Sequence, residues 1–162
     1  KFGIYDIKNF INLTNPKRSL NVSLLFSKYD TTFDVIYPGK NASVVFGINN
    51  EYIVEKIQPF GIITTKHNIV SFALKMKIPV IQRFFILDSF SFEKTLSHIQ
   101  ENKPMAVEVL PGLMPKILHS LASKIDRPLI TGGLISSKED IVSALSAGAC
   151  AVSTTDTKLW NI

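Results

Sequence analysis

The stretch that decides the fold is residues 106–133, AVEVLPGLMPKILHSLASKIDRPLITGG. It opens with the apolar run AVEVL, which has the length of one strand, and a second apolar run that begins with LIT lies before its closing glycines. Continuous apolar runs of this kind are typical of strands buried on both faces of a parallel sheet. Between the runs, Pro115 stands where a first helical turn tolerates proline. An apolar stripe at helical spacing follows it, formed by Ile117, Leu118, Leu121 and Ile125. The stretch therefore predicts a strand, a helix and a second, parallel strand.

The same alternation runs along the whole chain. Short apolar, β-branched or aromatic runs recur at intervals of 18 to 26 residues, and they begin near Phe2, Val22, Ser43, Gly61, Val80, Ala106, Leu129 and Ala149. Eight strands alternating with helices predict an α/β fold, a small (β/α)8 TIM-type barrel with short loops. Residues 1–162 are predicted to form this single domain. A flavodoxin-like open sheet is the architectural alternative, because barrels of this type usually need about 250 residues.

A further helix is predicted after residue 136. Ser136 and Glu139 have the spacing of a capping box, in which each side chain satisfies a backbone N–H of the other residue. Gly148 supplies the left-handed residue at which such a helix ends. The predicted apolar face of this helix comprises Ile141, Val142 and Leu145.

Composition and charge point to a protein of the cytoplasm. Apolar residues make up 46 % of the chain, and no apolar run approaches the roughly 18 residues of a bilayer span, so no membrane partner is predicted. Cys150 is the one cysteine, flanked by small apolar residues, and we predict a buried thiol. The net charge of +5 is compatible with an anionic partner, either nucleic acid or a phosphorylated metabolite. The three histidines lack metal-ligand spacing, so we predict no metal and no cofactor.

A phosphate site is predicted where the last two strands end. Gly132 and Gly133 follow the seventh run, and glycines let backbone N–H groups approach an anion closely. Ser153 and Thr154 follow the eighth run, before a predicted helix whose positive end would point to the same place. The loops after strands seven and eight commonly form the phosphate site of TIM barrels. A tight turn and an ordinary helix cap are the alternative explanations.

Charged residues interrupt two other predicted strands. Arg83 lies within IQRFF and Glu108 within AVEVL, and a buried guanidinium needs an anionic partner. That partner is either a ligand phosphate or Glu108 itself, in a structural ion pair. Glu108 can also accept hydrogen bonds from a ligand hydroxyl.

Three further residues are candidates for ligand binding because they lie just after predicted strands. Lys66 can pair with a phosphate, or form a Schiff base in an enzyme; it can also be an ordinary solvated lysine. Asp88 can contact the ligand or cap the helix that begins near Ser89. Gly112 lies in a tight Pro-Gly turn and can expose its amide.

Taken in order, these motifs resemble the glycerol-3-phosphate-responsive antiterminators. The resemblance covers roughly residues 59 to 161. It is carried by GIITTK at 61–66, IQR at 81–83 with LDS at 87–89, LPGLMPKI at 110–117, PLITGGLI at 128–135 and AGACAVSTT at 147–155 with Leu159 and Trp160. The chain departs from the family pattern at Gly47 and Asn49, where members tend to carry His and Asp and then a longer loop.

The resemblance implies a TIM barrel without catalytic residues that binds glycerol 3-phosphate. It also implies antitermination of glycerol-utilisation genes through binding of their leader mRNA. In that reading Gly132, Gly133, Ser153 and Thr154 hold the phosphate, and Arg83, Glu108 and Lys66 reach the other oxygens.

Two other functions are compatible with the residues. One is an isomerase or aldolase acting on a small sugar phosphate, because TIM barrels host many chemistries. The other is a ligand-free interaction scaffold.

Overall fold

The structure, a computed structural model, describes residues 33–36 and 61–161, and the chain divides into two compact units, residues 1–82 and 83–162. In the first unit, β1 pairs antiparallel with β2, and β2 pairs parallel with the first part of β3. An apolar cluster joins α1 to these strands through Ile62, Ile69, Val70, Ala73 and Val80. The elements are β1 (Phe33–Ile36), β2 (Gly61–Thr64), α1 (His67–Lys75) and β3 (Val80–Phe85), which continues into the second unit.

In the second unit, the strands follow one another in the sheet from β3 to β6. β4, β5 and β6 are parallel, and Ile86 N–H donates to the Leu110 carbonyl at 3.0 Å beside β4. Each of β3, β4 and β5 is followed by a helix. The elements are α2 (Ser89–Asn102), β4 (Ala106–Leu110), α3 (Pro115–Ala122), β5 (Leu129–Gly132), α4 (Lys138–Ser146), β6 (Ala151–Ser153) and a short 3₁₀ helix (Thr157–Asn161).

The core of the second unit lies between the sheet and its helices. Alternation along each strand sends every second side chain toward the helices. Phe84 of β3, Val107 and Val109 of β4, and Leu129 of β5 contribute the strand side of this cluster. The helix side comprises Leu96, Ile99, Leu118, Leu121, Ala144 and Ala147. Residues one position along the strands, including Arg83 and Glu108, therefore point to the opposite face.

The predicted α/β fold with parallel strands and short loops is confirmed in the described residues. Strands begin at Gly61, Val80, Ala106 and Leu129, as predicted, and the last begins at Ala151 rather than Ala149. The strand-to-helix connections span residues 65–66, 86–88, 111–114 and 133–137. The predicted strands near Phe2, Val22 and Ser43 lie outside the described residues, and the single domain stays a prediction.

Strand β1 was not predicted. Residues 33–36 read FDVI, a short β-branched and aromatic run that ends just before Pro38-Gly39, and such runs favour extended backbone. Its antiparallel pairing with β2 differs from the parallel pairing of the later strands.

Three details of α4 differ from prediction. The capping box of α4 is Ser137 with Asp140 rather than Ser136 with Glu139, because the shorter aspartate reaches back to the Ser136 and Ser137 amides, each at 2.9 Å. The buried residue of α4 is Ala144. Val142 and Leu145, predicted as its apolar face, are 53 % and 44 % exposed.

Two further expectations concern residues 147–161. Gly148 takes the predicted left-handed conformation at the end of α4, with φ of 103°. Cys150, predicted to be buried, is exposed, because β6 begins two residues later than expected. Up to residue 161, only the short 3₁₀ helix follows β6, in place of the predicted full helix. Among the helices that the structure describes, none combines the length and the apolar character of a bilayer span.

Candidate functional site

Most of the predicted ligand residues of the second unit lie where its strands end or in the loops that follow, while Arg83 and Glu108 lie within β3 and β4. Gly132 and Ser153 face each other in the register of β5 and β6. Gly112 and Gly133 lie in the connections after β4 and β5, and Thr154 follows β6. Since parallel strands end at one edge of a sheet, their loops converge there.

Arg83, Glu108 and Ser153 form one hydrogen-bonded network across the face opposite the helices. Arg83 Nε donates to Glu108 Oε2 at 2.6 Å, and Ser153 Oγ donates to Glu108 Oε1 at 2.7 Å. Arg83 is 8 % exposed and Glu108 3 % exposed, while Ser153 is half-buried. The interpretation of Arg83 and Glu108 as an ion pair is therefore confirmed, and Ser153 is a partner that the sequence did not indicate.

Because this ion pair is buried, the stability of the fold depends on both of its partners. A buried charge that loses its partner costs about 3 to 5 kcal/mol, because desolvation is then uncompensated. Each Glu108 oxygen has a donor in the protein, so the carboxylate is satisfied before any ligand arrives. Glu108 can thus orient the Arg83 and Ser153 side chains relative to one another.

Gly132 is required by its close approach to Ser153. A Cβ at Gly132 would overlap Ser153 Oγ and stand 2.8 Å from the Ser153 carbonyl oxygen, closer than real Cβ contacts. The backbone of Gly132 is not left-handed, so the constraint is space and not conformation. This glycine therefore leaves the room in which the Ser153 hydroxyl reaches Glu108.

The other two glycines pack the loops together. Gly112 N–H donates to the Gly133 carbonyl at 3.1 Å, so this amide is engaged within the protein. A Cβ at Gly112 would stand 2.7 Å from Ile135 Cδ1. Gly133 has a φ of 75°, a conformation that glycine adopts without cost. The loops after β4 and β5 are thus joined by backbone contact, as a tight turn requires.

Thr154 and Asp88 both serve turns or caps. Thr154 Oγ1 donates to the Ile135 carbonyl at 3.3 Å and accepts from Asp156 N–H at 3.1 Å. Asp88 is exposed and forms the N-cap of α2, where its Oδ1 accepts from Ser91 N–H at 2.7 Å. Hydrogen bonds from the backbone and side chain of Ser91 lower the pKa of Asp88. The capping interpretation of Asp88 is confirmed, and ligand contact by either residue stays a prediction.

Lys66 belongs to the first unit. It occupies the N-cap position of α1, and its backbone N–H donates to Thr64 Oγ1 at 3.1 Å. Its role toward a ligand stays a prediction. In the part of the chain that the structure describes, no three His, Cys, Asp or Glu side chains are grouped so as to hold a metal ion.

The loops also carry a feature that sequence reasoning missed. Leu134, directly after Gly133, has a φ of 62°, and its side chain is 71 % exposed. A left-handed conformation is costly for a bulky residue and is often retained near functional sites. The sequence holds no signal for it, because the preceding Gly-Gly pair already explains a turn.

Comparison with known proteins places these features in a family. The sequence profile of the family described as "Glycerol-3-phosphate responsive antiterminator" matches residues 46–160. A protein of Escherichia coli K12 named YgcP is 33 % identical over 154 residues, which cover 87 % of this chain and 81 % of that protein.

Two crystal structures of proteins described as glycerol uptake operon antiterminators, or as related to them, are also similar to this chain. The glycerol uptake operon antiterminator regulatory protein of Listeria monocytogenes is 35 % identical with a TM-score of 0.67, over 72 % of this chain and 65 % of the Listeria chain. An antiterminator-related protein of Thermotoga maritima is 34 % identical with a TM-score of 0.63, over 72 % and 67 % of the two chains.

A more distant neighbour bears on the fold alone. N-acetylneuraminate lyase of Mycoplasma synoviae is 14 % identical with a TM-score of 0.50, and it belongs to the TIM-barrel aldolases. The chain thus shares the parallel α/β architecture of the TIM-barrel class. Since the family profile matches well over half of its residues, the chain belongs to the glycerol-3-phosphate responsive antiterminator family.

Proposed function

We propose that this protein is a glycerol-3-phosphate-responsive regulator of transcription antitermination for glycerol-utilisation genes. It acts in the cytoplasm and binds the leader mRNA when the metabolite occupies its ligand site. The observation that carries this proposal is the family match over residues 46–160, which includes every strand-end motif of the second unit.

The proposed ligand site lies at the carboxyl ends of β3 to β6. Its supporting features are the ion pair of Arg83 with Glu108 and the glycine-rich loop after β5. A small diol phosphate combines anionic oxygens with hydroxyl groups, and this edge of the sheet offers cationic, acceptor and backbone groups for both. The site comprises Arg83, Glu108, Gly132, Gly133, Ser153 and Thr154 of the second unit, and ligand contact by Lys66 of the first unit stays a prediction. Ligand contact by Asp88 and Gly112 stays a prediction, since the helix cap of Asp88 and the turn of Gly112 already account for these residues.

The distribution of charge bears on the RNA partner. Residues 1–82 hold ten Lys and Arg against five Asp and Glu, whereas residues 83–162 hold eight of each. The net charge of +5 is therefore carried by residues 1–82, and the unit with the proposed ligand site is neutral. Phosphate backbones bind basic surfaces and release counterions, so we propose that residues 1–82 contact the transcript.

The ligand is tested by thermal unfolding of the full chain with glycerol 3-phosphate, glycerol, inorganic phosphate and dihydroxyacetone phosphate. A ligand at 100 times its Kd stabilises by about 2.7 kcal/mol, which raises Tm by roughly 5 to 10 °C in a chain of this size. We expect the largest rise with glycerol 3-phosphate and none with glycerol. Equal rises with phosphate alone would contradict a specific response to this metabolite.

The RNA partner is tested by fluorescence anisotropy with the leader transcript and a scrambled transcript of equal length. We expect glycerol 3-phosphate to tighten binding of the leader only, because a ligand shifts binding by preferring one conformation. Affinity should fall steeply between about 50 and 200 mM salt. Leader binding that ignores the metabolite would refute the regulatory part of the proposal.

The alternative of an enzyme acting on a sugar phosphate receives support from the fold alone. Fold does not determine chemistry, and a likeness of 14 % identity to a lyase does not transfer its reaction. We therefore propose the regulator only.

A further inference from the structure

We infer that Ser153 recognises a hydroxyl group of the ligand and not its phosphate, and is thus the residue that selects a polyol phosphate over other phosphate monoesters. The inference rests on the proposed function, since it concerns the same ligand site. It differs from the assignment that the family resemblance implies, in which Ser153 binds phosphate oxygens.

The first step is an account of the proton on Ser153. A hydroxyl group has one hydrogen to donate and two lone pairs to accept with. Ser153 Oγ lies 2.7 Å from Glu108 Oε1, and a carboxylate only accepts hydrogen bonds. The Ser153 hydroxyl therefore donates its one hydrogen bond to Glu108. Toward a ligand, Ser153 Oγ can only accept hydrogen bonds through its lone pairs.

The second step is that a ligand cannot easily reclaim this proton. Glu108 is 3 % exposed and its other oxygen is held by Arg83 Nε at 2.6 Å. Turning the hydroxyl away would leave Glu108 Oε1 buried without its donor, which is costly in a site shielded from water. Gly132 contributes by leaving the space in which this orientation of Ser153 fits.

The third step concerns the chemistry of the ligand. A phosphate dianion presents only acceptor oxygens. It cannot form a hydrogen bond with the lone pairs of Ser153 Oγ, because neither group supplies a hydrogen. A ligand hydroxyl can donate to the same lone pairs and completes a chain from ligand to Ser153 to Glu108. This arrangement favours phosphate esters with a free hydroxyl on their carbon chain.

The test uses two ligands that share a phosphate and differ in hydroxyl groups. Glycerol 3-phosphate and n-propyl phosphate are titrated by calorimetry into the full-length wild-type protein, at about pH 8 so that both are dianions. We expect glycerol 3-phosphate to bind at least about tenfold more tightly, the size of one well-formed hydrogen bond. In Ser153→Ala the affinity for glycerol 3-phosphate should fall by about tenfold, while that for propyl phosphate stays unchanged. Ser143→Ala, the same change at an exposed serine of α4, should alter neither affinity.

The outcomes separate this inference from the proposed function. A Ser153→Ala variant that loses affinity for both ligands equally overturns the inference, because Ser153 then binds phosphate, and leaves the proposed function intact. Failure of both ligands to bind the wild-type protein overturns both. If Ser153→Ala does not fold, the wild-type comparison still decides, since equal affinities for the two ligands overturn the inference.

Discussion

Replacing Gly132 with alanine should disrupt the candidate site without removing any of its polar groups. The new Cβ would overlap Ser153 Oγ and lie 2.8 Å from the Ser153 carbonyl oxygen. The hydroxyl must then leave Glu108, a carboxylate that is 3 % exposed. One methyl group thus removes a buried hydrogen bond and crowds two adjacent strands.

The magnitude follows from three contributions. A hydrogen bond to a charged group contributes about 1.5 to 3 kcal/mol, and overpacking of a well-packed region costs about 1 to 3 kcal/mol. Alanine has less backbone conformational entropy than glycine in the unfolded chain, and this difference offsets about 0.4 to 1 kcal/mol of the destabilisation. We expect Gly132→Ala to lower the free energy of unfolding by about 2 to 5 kcal/mol.

The assay is urea unfolding followed by circular dichroism, with Gly132→Ala, Ser153→Ala and the double variant. Without the Ser153 hydroxyl the new methyl no longer displaces a hydrogen bond and meets the carbonyl oxygen and Cβ of residue 153, so the cost of Gly132→Ala should fall by roughly 1.5 kcal/mol or more. Gly112→Ala is the matched control and should cost less, since its Cβ would come closest to the end of the Ile135 side chain and stand 3.2 Å from the Gly132 carbonyl oxygen, without displacing a buried hydrogen bond. An equal cost of Gly132→Ala in both backgrounds would refute the reasoning.

Three further predictions concern other parts of the second unit. Arg83→Met should lower the free energy of unfolding by about 3 to 5 kcal/mol, and Arg83→Met with Glu108→Leu should recover part of it; no recovery would contradict the ion-pair argument. Hydrogen bonds from the Ser136 backbone and the Ser137 side chain lower the pKa of Asp140 below 3.8, so its stabilisation is present above that pH and is lost as the pH falls further. On acidification below about pH 4, the Tm of Asp140→Asn should therefore fall less than the Tm of the wild type. Parallel profiles of Tm against pH for the two proteins would count against this. Cys150 is exposed, yet desolvation raises the pKa of its thiol above 9.0, so the folded protein should react with a thiol reagent, slowly at neutral pH and faster in alkali. Reaction only after unfolding would show that the thiol is covered.

The positions of the strands from residue 61 onward could be predicted from local pattern. Continuous apolar runs fix where a strand buried on both faces begins, and four of the predicted starts match the structure. Pro115 and Gly148 marked a helix start and a helix end for reasons of backbone geometry alone. These features depend on neighbours within a few residues.

Features that depend on distant neighbours were predicted less well. Val142 and Leu145 belong to an apolar stripe, but Ala144 is the residue of α4 that is buried. Cys150 lies in an apolar run, but a shift in the start of β6 exposes it. In both cases the pattern names residues that can be buried, and tertiary packing selects among them.

The sequence by itself determined the alternation of strands and helices, the family, and the residues that stand at the strand ends. It also indicated an ion pair of Arg83 and Glu108 as one possible arrangement, because charged residues within apolar strands need partners. Only the tertiary structure decided that Ser153 joins this ion pair and donates a hydrogen bond to Glu108. Ser153 is 45 residues from Glu108 in the chain, and the two meet only through strand register and the space left at Gly132. Hydrogen-bond direction depends on that meeting, so no local pattern contains it.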